Sequence, residues 1–222
     1  MRARTSDGRG VHCPRCLLRG EACVCSALAT VSTRTHFIIL RHVIESRRST
    51  NTGRIAALAL PNSTLIDVGG GPPVPQGPLS APRTWLLFPG FAPPPGDAPP
   101  PERLVVLDGT WKQARKLLVR VPALHRLPTL SLPAPPTPPE RMRRQTVDGG
   151  MSTLEAIAFA LARFEGSEAA APLHALYAEM VQRALAIRGR RHGFSPAPPP
   201  EPAPGPPPEP VPGPPPEPAP GG

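Results

Sequence analysis

Aromatic residues make up only 4% of this 222-residue sequence, and cysteine is absent outside a single short stretch. The first shortage leaves few large rings for a core. The second excludes a disulfide scaffold of the secreted kind. No apolar run approaches the ~18 residues of a membrane span. The opening "MRARTSDGRG" is charged, with no apolar run behind it, so it does not read as a signal peptide. These absences point to a soluble, cytoplasmic protein. No G-x-x-x-x-G-K-[ST] is present, which argues against a nucleoside triphosphatase. "VGGGPP" at Val68 is rich in glycine, but prolines follow and no helix can start there, so a dinucleotide loop is rejected. No Ser–His–Asp or Cys–His nucleophile arrangement stands out.

Proline, by contrast, occurs 38 times. A PPPEPxPG unit repeats three times from Pro198, within a tail running from Ser195 to Gly222. Such a segment is expected to be a disordered, polyproline-like arm, either a passive spacer or a ligand for a proline-reading domain. The tail carries three of the sixteen acidic residues and none of the 25 basic ones, leaving a surplus of twelve positive charges on residues 1–194. A surplus of that size favours a polyanionic partner, nucleic acid first. The composition divides the chain into an N-terminal segment (1–30), a central domain (31–194) and the tail (195–222). Whether it is a monomer or a dimer is not legible.

The four cysteines, Cys13, Cys16, Cys23 and Cys25, all fall within "CPRCLLRGEACVC". In a cytoplasmic chain such a cluster suggests a metal, with a redox pair or free thiols as alternatives. A C-x2-C knuckle supplies two soft ligands to a tetrahedral zinc, and the tighter C-x-C supplies the other pair. His12 is a possible substitute ligand. With every position filled by protein, the zinc would be structural.

Between this knuckle and the tail, short apolar runs alternate with helical patterns. Strands are expected at Thr35–His42, Ser63–Gly70, Thr84–Gly90, Arg103–Gly109 and within Leu127–Pro133. Helices are expected at Thr52–Leu60, from Trp111, around Leu154, Ile157, Ala158 and Leu161, and around Leu173, Leu176, Tyr177, Met180 and Ala184. This alternation specifies an α/β domain, with a mostly parallel sheet covered by helices on both faces.

Ligands of such sheets gather at the carboxyl ends of the strands. Three post-strand segments carry polar groups there. The first holds Arg41, His42, Glu45, Arg47 and Arg48 before "STNTG". The second holds Asp108, Thr110 and Trp111. The third holds Arg141, Arg143 and Arg144 before "QTVDGGMSTLEA". Thr110 with Gln113, and Ser152 with Glu155, each have the spacing of a helix capping box. A capped helix start preceded by glycine can also receive a carboxylate or phosphate. A cap explains Thr110, but neither Asp108 nor Trp111. The helix that follows sets Trp111, Ala114, Leu118 and Val121 against Lys112, Arg115 and Lys116, a basic face suited to solvation or to phosphate contact.

"LDGTWKQARKLL" resembles the signature of the DTW-domain family, with Asp108, Thr110 and Trp111 in its D-x-T-W. Four more segments resemble family blocks in the same order: the cysteine knuckle, "RHVIESRRSTNTGR", "LLFPG" and "STLEAIAFAL". Val43 stands where many members carry proline, and the proline-rich inserts and tail are further departures. The resemblance implies a tRNA-uridine aminocarboxypropyltransferase, which moves the 3-amino-3-carboxypropyl group of S-adenosylmethionine to N3 of a uridine and releases 5′-methylthioadenosine. It also implies a SPOUT-like fold, with a knotted cofactor site built from the carboxyl-side loops.

On that reading Asp108 is the base, or the group that orients the uracil or the cofactor's ammonium, with Thr110 and Trp111 beside it. Trp111 would stack on adenine or uracil. The matching blocks nominate Arg41, His42, Glu45, Asn51, Thr52, Gly53, Pro89, Gly109, Ser152, Thr153 and Glu155 for the cofactor. Arg41 or the Ser152–Thr153 helix start would receive the methionyl carboxylate. Arg47, Arg48, Lys112, Arg115, Lys116, Arg143 and Arg144 would hold the tRNA backbone. Two rivals use the same residues differently: a SPOUT-type RNA methyltransferase, and a non-enzymatic zinc-knuckle RNA binder.

Overall fold

The computed structural model describes residues 12–90, 93–94, 97–133 and 150–191, with side chains to residue 187. The tail at 195–222 and the loop holding Arg141, Arg143 and Arg144 lie outside the described residues, as does part of the proline-rich loop at 91–101.

Five parallel strands form one sheet: β1 (His36–His42), β2 (Ser63–Val68), β3 (Thr84–Leu87), β4 (Arg103–Asp108) and β5 (Thr129–Leu130), in the order β2-β1-β4-β3-β5. Among the described residues five α-helices accompany it: α1 (Thr52–Ala59), α2 (Gln76–Ser80), α3 (Trp111–Arg120), α4 (Thr153–Glu165) and α5 (Ser167–Arg191). All five expected strands form, although the fifth is reduced to two residues. Pro128 and Pro133 flank that run, and proline cannot donate to a ladder. The short helix α2 was not expected from the sequence.

The central strands β1 and β4 are apolar on both faces, as a sheet covered on both sides requires. Successive side chains alternate between two clusters. Phe37, Ile39, Leu104 and Val106 pack with Ile55 and Ala56 of α1, with Leu154, Ile157 and Leu161 of α4, and with Leu173 and Met180 of α5. Ile38, Leu40 and Val105 pack on the opposite face with Leu117 and Leu118 of α3 and with Leu124. The same alternation directs Arg41 and Asp108 towards the α1–α4 side. Glu165, at the end of α4, accepts from the amides of Arg34 (2.9 Å) and Thr35 (2.8 Å), tying that helix to the entry of β1.

The knuckle shares this core. Cys16, Leu18, Ala22 and Val24 are buried in the α1–α4–α5 cluster, and Arg183 of α5 donates to the Cys23 carbonyl. The connection from β5 to α4, which a knotted crossing would need, includes residues 134–149, outside the described residues. Among the described residues no helix is long and apolar enough to cross a membrane.

Leu104 is fully buried at the centre of the sheet. Leu104→Ala is expected to cost about 2–5 kcal/mol of stability, read as a lowered urea midpoint at unchanged slope.

Candidate active site

The strand register sets the site. Arg41 of β1 lies beside Asp67 of β2 on one side and Asp108 of β4 on the other, so three charged side chains form a row at the carboxyl edge. Arg41 grips Asp67 through two bonds, Nε to Oδ1 at 2.6 Å and NH2 to Oδ2 at 3.0 Å. This is the bidentate geometry that makes such pairs strong. Asp67 is the outward partner, at 43% side-chain exposure against 8% for Arg41.

Asp108 is only 2% exposed. Its Oδ2 accepts from Asn51 Nδ2 at 2.6 Å and its Oδ1 from Thr153 Oγ1 at 2.6 Å. Asn51 also caps α1 by accepting from the Arg54 amide at 2.8 Å, and Arg41 NH1 makes a longer contact of 3.5 Å to the same Asn51 oxygen. One carboxylate therefore joins β4, the start of α1 and the start of α4. Burial pushes its pKa up, while the bonds from Thr153 and Asn51 and the charge of Arg41 pull the other way. With both oxygens engaged and almost no exposure, Asp108 is built to position its neighbours.

Gly53 is dictated by this carboxylate: a Cβ there would lie 2.5 Å from Asp108 Cγ. Gly109 is similarly confined, since its Cβ would meet Gln113 at 3.0 Å. Thr52, between Asn51 and Gly53, is buried in the first turn of α1.

The expected capping boxes are present at Thr110–Gln113 and at Ser152–Glu155. The first continues inward. Gln113 Oε1 accepts from the Thr110 amide at 2.6 Å, and its Nε2 donates to Glu45 Oε1 at 3.2 Å. Glu45, 2% exposed, also pairs with Arg48 Nε at 3.2 Å. His42 is turned to the other face of the sheet. Its Nδ1 accepts from the Ile44 amide (3.4 Å), and burial, with the charges of Arg120 and Lys116, holds its pKa below the usual imidazole range.

Trp111 and Asp108 share a turn but serve opposite layers. Trp111 is half-buried against Phe88, with ring centroids 5.6 Å apart and planes at 62°, on the side of the α3 cluster that includes Phe88. Exposed Pro89 follows Phe88. Lys112, Arg115 and Lys116 are exposed along α3. Arg47 and Arg48 lie on the β1–α1 connection, while Arg143 and Arg144 lie outside the described residues.

The sequence reading missed Asp67, Phe88 and Arg54. Arg54 donates to the carbonyls of Arg48 (3.1 Å) and Ser46, bracing the connection that ends at Asn51. It also lies within electrostatic range of Asp108, Asp67 and Cys16. No short-range signal marks these residues, because strand register and loop folding bring them together.

The four cysteine sulfurs lie within 4.8 Å of one another. Cys13 Sγ and Cys25 Sγ are 3.6 Å apart, and Cys16 Sγ and Cys23 Sγ 3.7 Å. Thiolates around a tetrahedral zinc with Zn–S bonds of ~2.3 Å stand about 3.8 Å apart, so the cluster fits a metal of this kind. The amides of Cys16 and Arg15 hold the Cys13 thiol down at about 6, whereas burial, with neighbouring thiols, pushes Cys25 up to about 12. Cys13 ionises readily, and a cation among the sulfurs favours ionisation of the others.

A parallel α/β sheet with polar loops gathered at its carboxyl edge defines a class of ligand-binding folds. Within that class, this chain belongs to the DTW domain family, whose model matches residues 10–185. It is 32% identical over 166 residues to tRNA-uridine aminocarboxypropyltransferase 2 of Drosophila melanogaster, covering 69% of this chain and 66% of that protein. It is 30% identical over 135 residues to tRNA-uridine aminocarboxypropyltransferase A of Arabidopsis thaliana, covering 48% of this chain and 49% of that protein. The matched region thus spans about half to two thirds of these relatives. No solved structure matches the chain.

Two variants test this geometry. Asp108→Asn can still accept from Asn51 and can donate to Thr153, while removing a buried charge, so stability at neutral pH is expected to be kept or raised. A raised pKa means that the folded state holds the proton more tightly, so this carboxyl contributes stability that is lost as pH rises through its folded value. Thermal unfolding of both proteins upward from pH 3.8, the ordinary value for such a group, is expected to show a falling contribution in the native chain that the variant lacks. Identical profiles would remove Asp108 as a titrating hub. Separately, Cys16→Ser, at a fully buried knuckle position, is expected to abolish stoichiometric metal in elemental analysis and to lower the melting temperature.

Proposed function

We propose that the protein is a tRNA-uridine aminocarboxypropyltransferase that uses S-adenosylmethionine to place a 3-amino-3-carboxypropyl group on N3 of a uridine. The observation that carries this reading is the buried Asp108, joined to Asn51 and Thr153 at the sheet edge, in a DTW chain similar to two proteins of that name.

The residues at this edge suit the donor molecule. The half-buried Trp111, braced by Phe88, offers a ring for adenine or uracil. The Ser152–Thr153 helix start offers donors for a carboxylate, whereas the Arg41 guanidinium is already committed to Asp67. When bound, S-adenosylmethionine supplies an electrophilic γ-carbon attached to a sulfonium leaving group.

The protein's own part is mostly positioning. Asp108 fixes the Asn51 amide and the Thr153 hydroxyl; Arg41, locked by Asp67, holds the row in register. In the transfer the uracil N3–C bond forms as the C–S bond breaks. Methylthioadenosine departs as a neutral thioether, and the N3 proton passes to solvent. In this reading the carboxylate orients the reacting groups and does not itself take that proton. The cysteine cluster holds a structural zinc, and the exposed cations of α3 contact the tRNA backbone.

Nucleoside mass spectrometry of unmodified tRNA incubated with protein and S-adenosylmethionine tests this. The expected result is a uridine heavier by the aminocarboxypropyl group, with methylthioadenosine in equal amount. A methyl gain with S-adenosylhomocysteine would instead identify a methyltransferase. RNA binding without cofactor binding would identify a non-catalytic RNA binder.

A further inference from the structure

A second polar feature lies away from the Asp108 row. The knuckle and the β1–α1 connection enclose an open cleft of about 430 Å³. His12 and Arg19 line one wall, and Arg47, Arg48, Ser49 and Thr50 line the other. The first wall is ordered by the cysteine knuckle: His12 and Arg19 pair as an antiparallel bridge around the Cys13–Cys16 turn, closed by the Cys13 amide on the Leu18 carbonyl at 2.8 Å. The second wall is ordered by Arg54, through its bonds to the carbonyls of Ser46 and Arg48.

Three guanidinium groups and two hydroxyls face this space. Arg48 is paired with Glu45, whereas among the described residues neither Arg19 nor Arg47 has a carboxylate partner. Such a lining suits a phosphodiester chain, because guanidinium groups match phosphate oxygens in fork geometry and hydroxyls add neutral donors. An apolar protein segment would find few apolar side chains here. The cleft and the site are linked through the chain: Thr50 on the cleft wall immediately precedes Asn51, which holds Asp108.

We infer that this cleft binds the sugar–phosphate backbone of the RNA substrate, and that the cysteine knuckle thereby forms half of an RNA-binding groove leading to the uridine site. The inference rests on the tRNA reading above. It gives the metal a role in substrate capture, because loss of the knuckle fold takes away the wall that carries His12 and Arg19.

The test uses the full, metal-loaded chain and unmodified tRNA transcripts, with Arg19→Glu, Arg47→Glu and Arg126→Glu as variants. Arg126 is an exposed arginine outside the cleft and controls for net charge. Metal content and melting temperature verify folding, and Arg47 lies outside the knuckle, so a folding defect at Arg19 leaves the test intact. Both cleft variants are expected to raise the tRNA Kd by about tenfold or more. Each should also reduce the slope of log affinity against log salt by about one, the expectation for losing a phosphate contact. Affinity for S-adenosylmethionine should be unchanged, and Arg126→Glu should have little effect on tRNA binding.

Wild-type tRNA affinity and salt slope in both cleft variants would overturn the inference. So would an equal loss in Arg126→Glu, which would show a general charge effect. Product formation by the wild type separates the two readings. Binding through the cleft without product leaves the groove standing and removes the proposed activity, whereas product with unaffected cleft variants does the reverse.

Discussion

A single buried carboxylate organises this molecule. Asp108 sits at 2% exposure on the central strand and has both oxygens occupied. Placing an anion there is costly unless it is bonded and balanced by opposite charge. The surroundings meet that requirement: an amide from the α1 cap, a hydroxyl from the α4 start, and a guanidinium on the adjoining strand. The glycine at position 53 and the burial of Asn51 follow from the same need, because the helix must approach closely enough to serve the carboxylate.

The division of the D-G-T-W turn follows from strand alternation. Asp108 keeps the parity of Leu104 and Val106 and faces α1 and α4, whereas Trp111 opens a helix on the other layer and meets Phe88. The edge is thus assembled from both faces, a charged hydrogen-bonded half and an aromatic half, with the backbone of one turn linking them. A ligand with a planar ring and a charged chain could address both halves at once.

Much of this was legible from the residues. Apolar runs locate the five strands, spacing locates both capping boxes, and the rule of carboxyl-edge convergence brings Asp108 to one edge with the segments "STNTG" and "QTVDGGMSTLEA", within which the family resemblance nominates Asn51 and Thr153. What escaped had a common cause. Asp67 lies in an ordinary strand and gains meaning only through its register opposite Arg41. Arg54 acts on backbone carbonyls, which leave no mark on sequence. Phe88 looked like the end of a strand. The second helix and the shortness of the fifth strand depend on how proline-flanked segments settle against a core already formed.

The parts of the Asp108 hub come from residues 41, 51, 67, 108 and 153, and the last of these enters only with α4. During synthesis on the ribosome, β4 is available well before Thr153 emerges, so one oxygen of the carboxylate must wait for its donor. No fragment ending short of that helix can present a complete edge. Completion of the site thus waits on α4, and closure of the core waits further, on Leu173 and Met180 of α5.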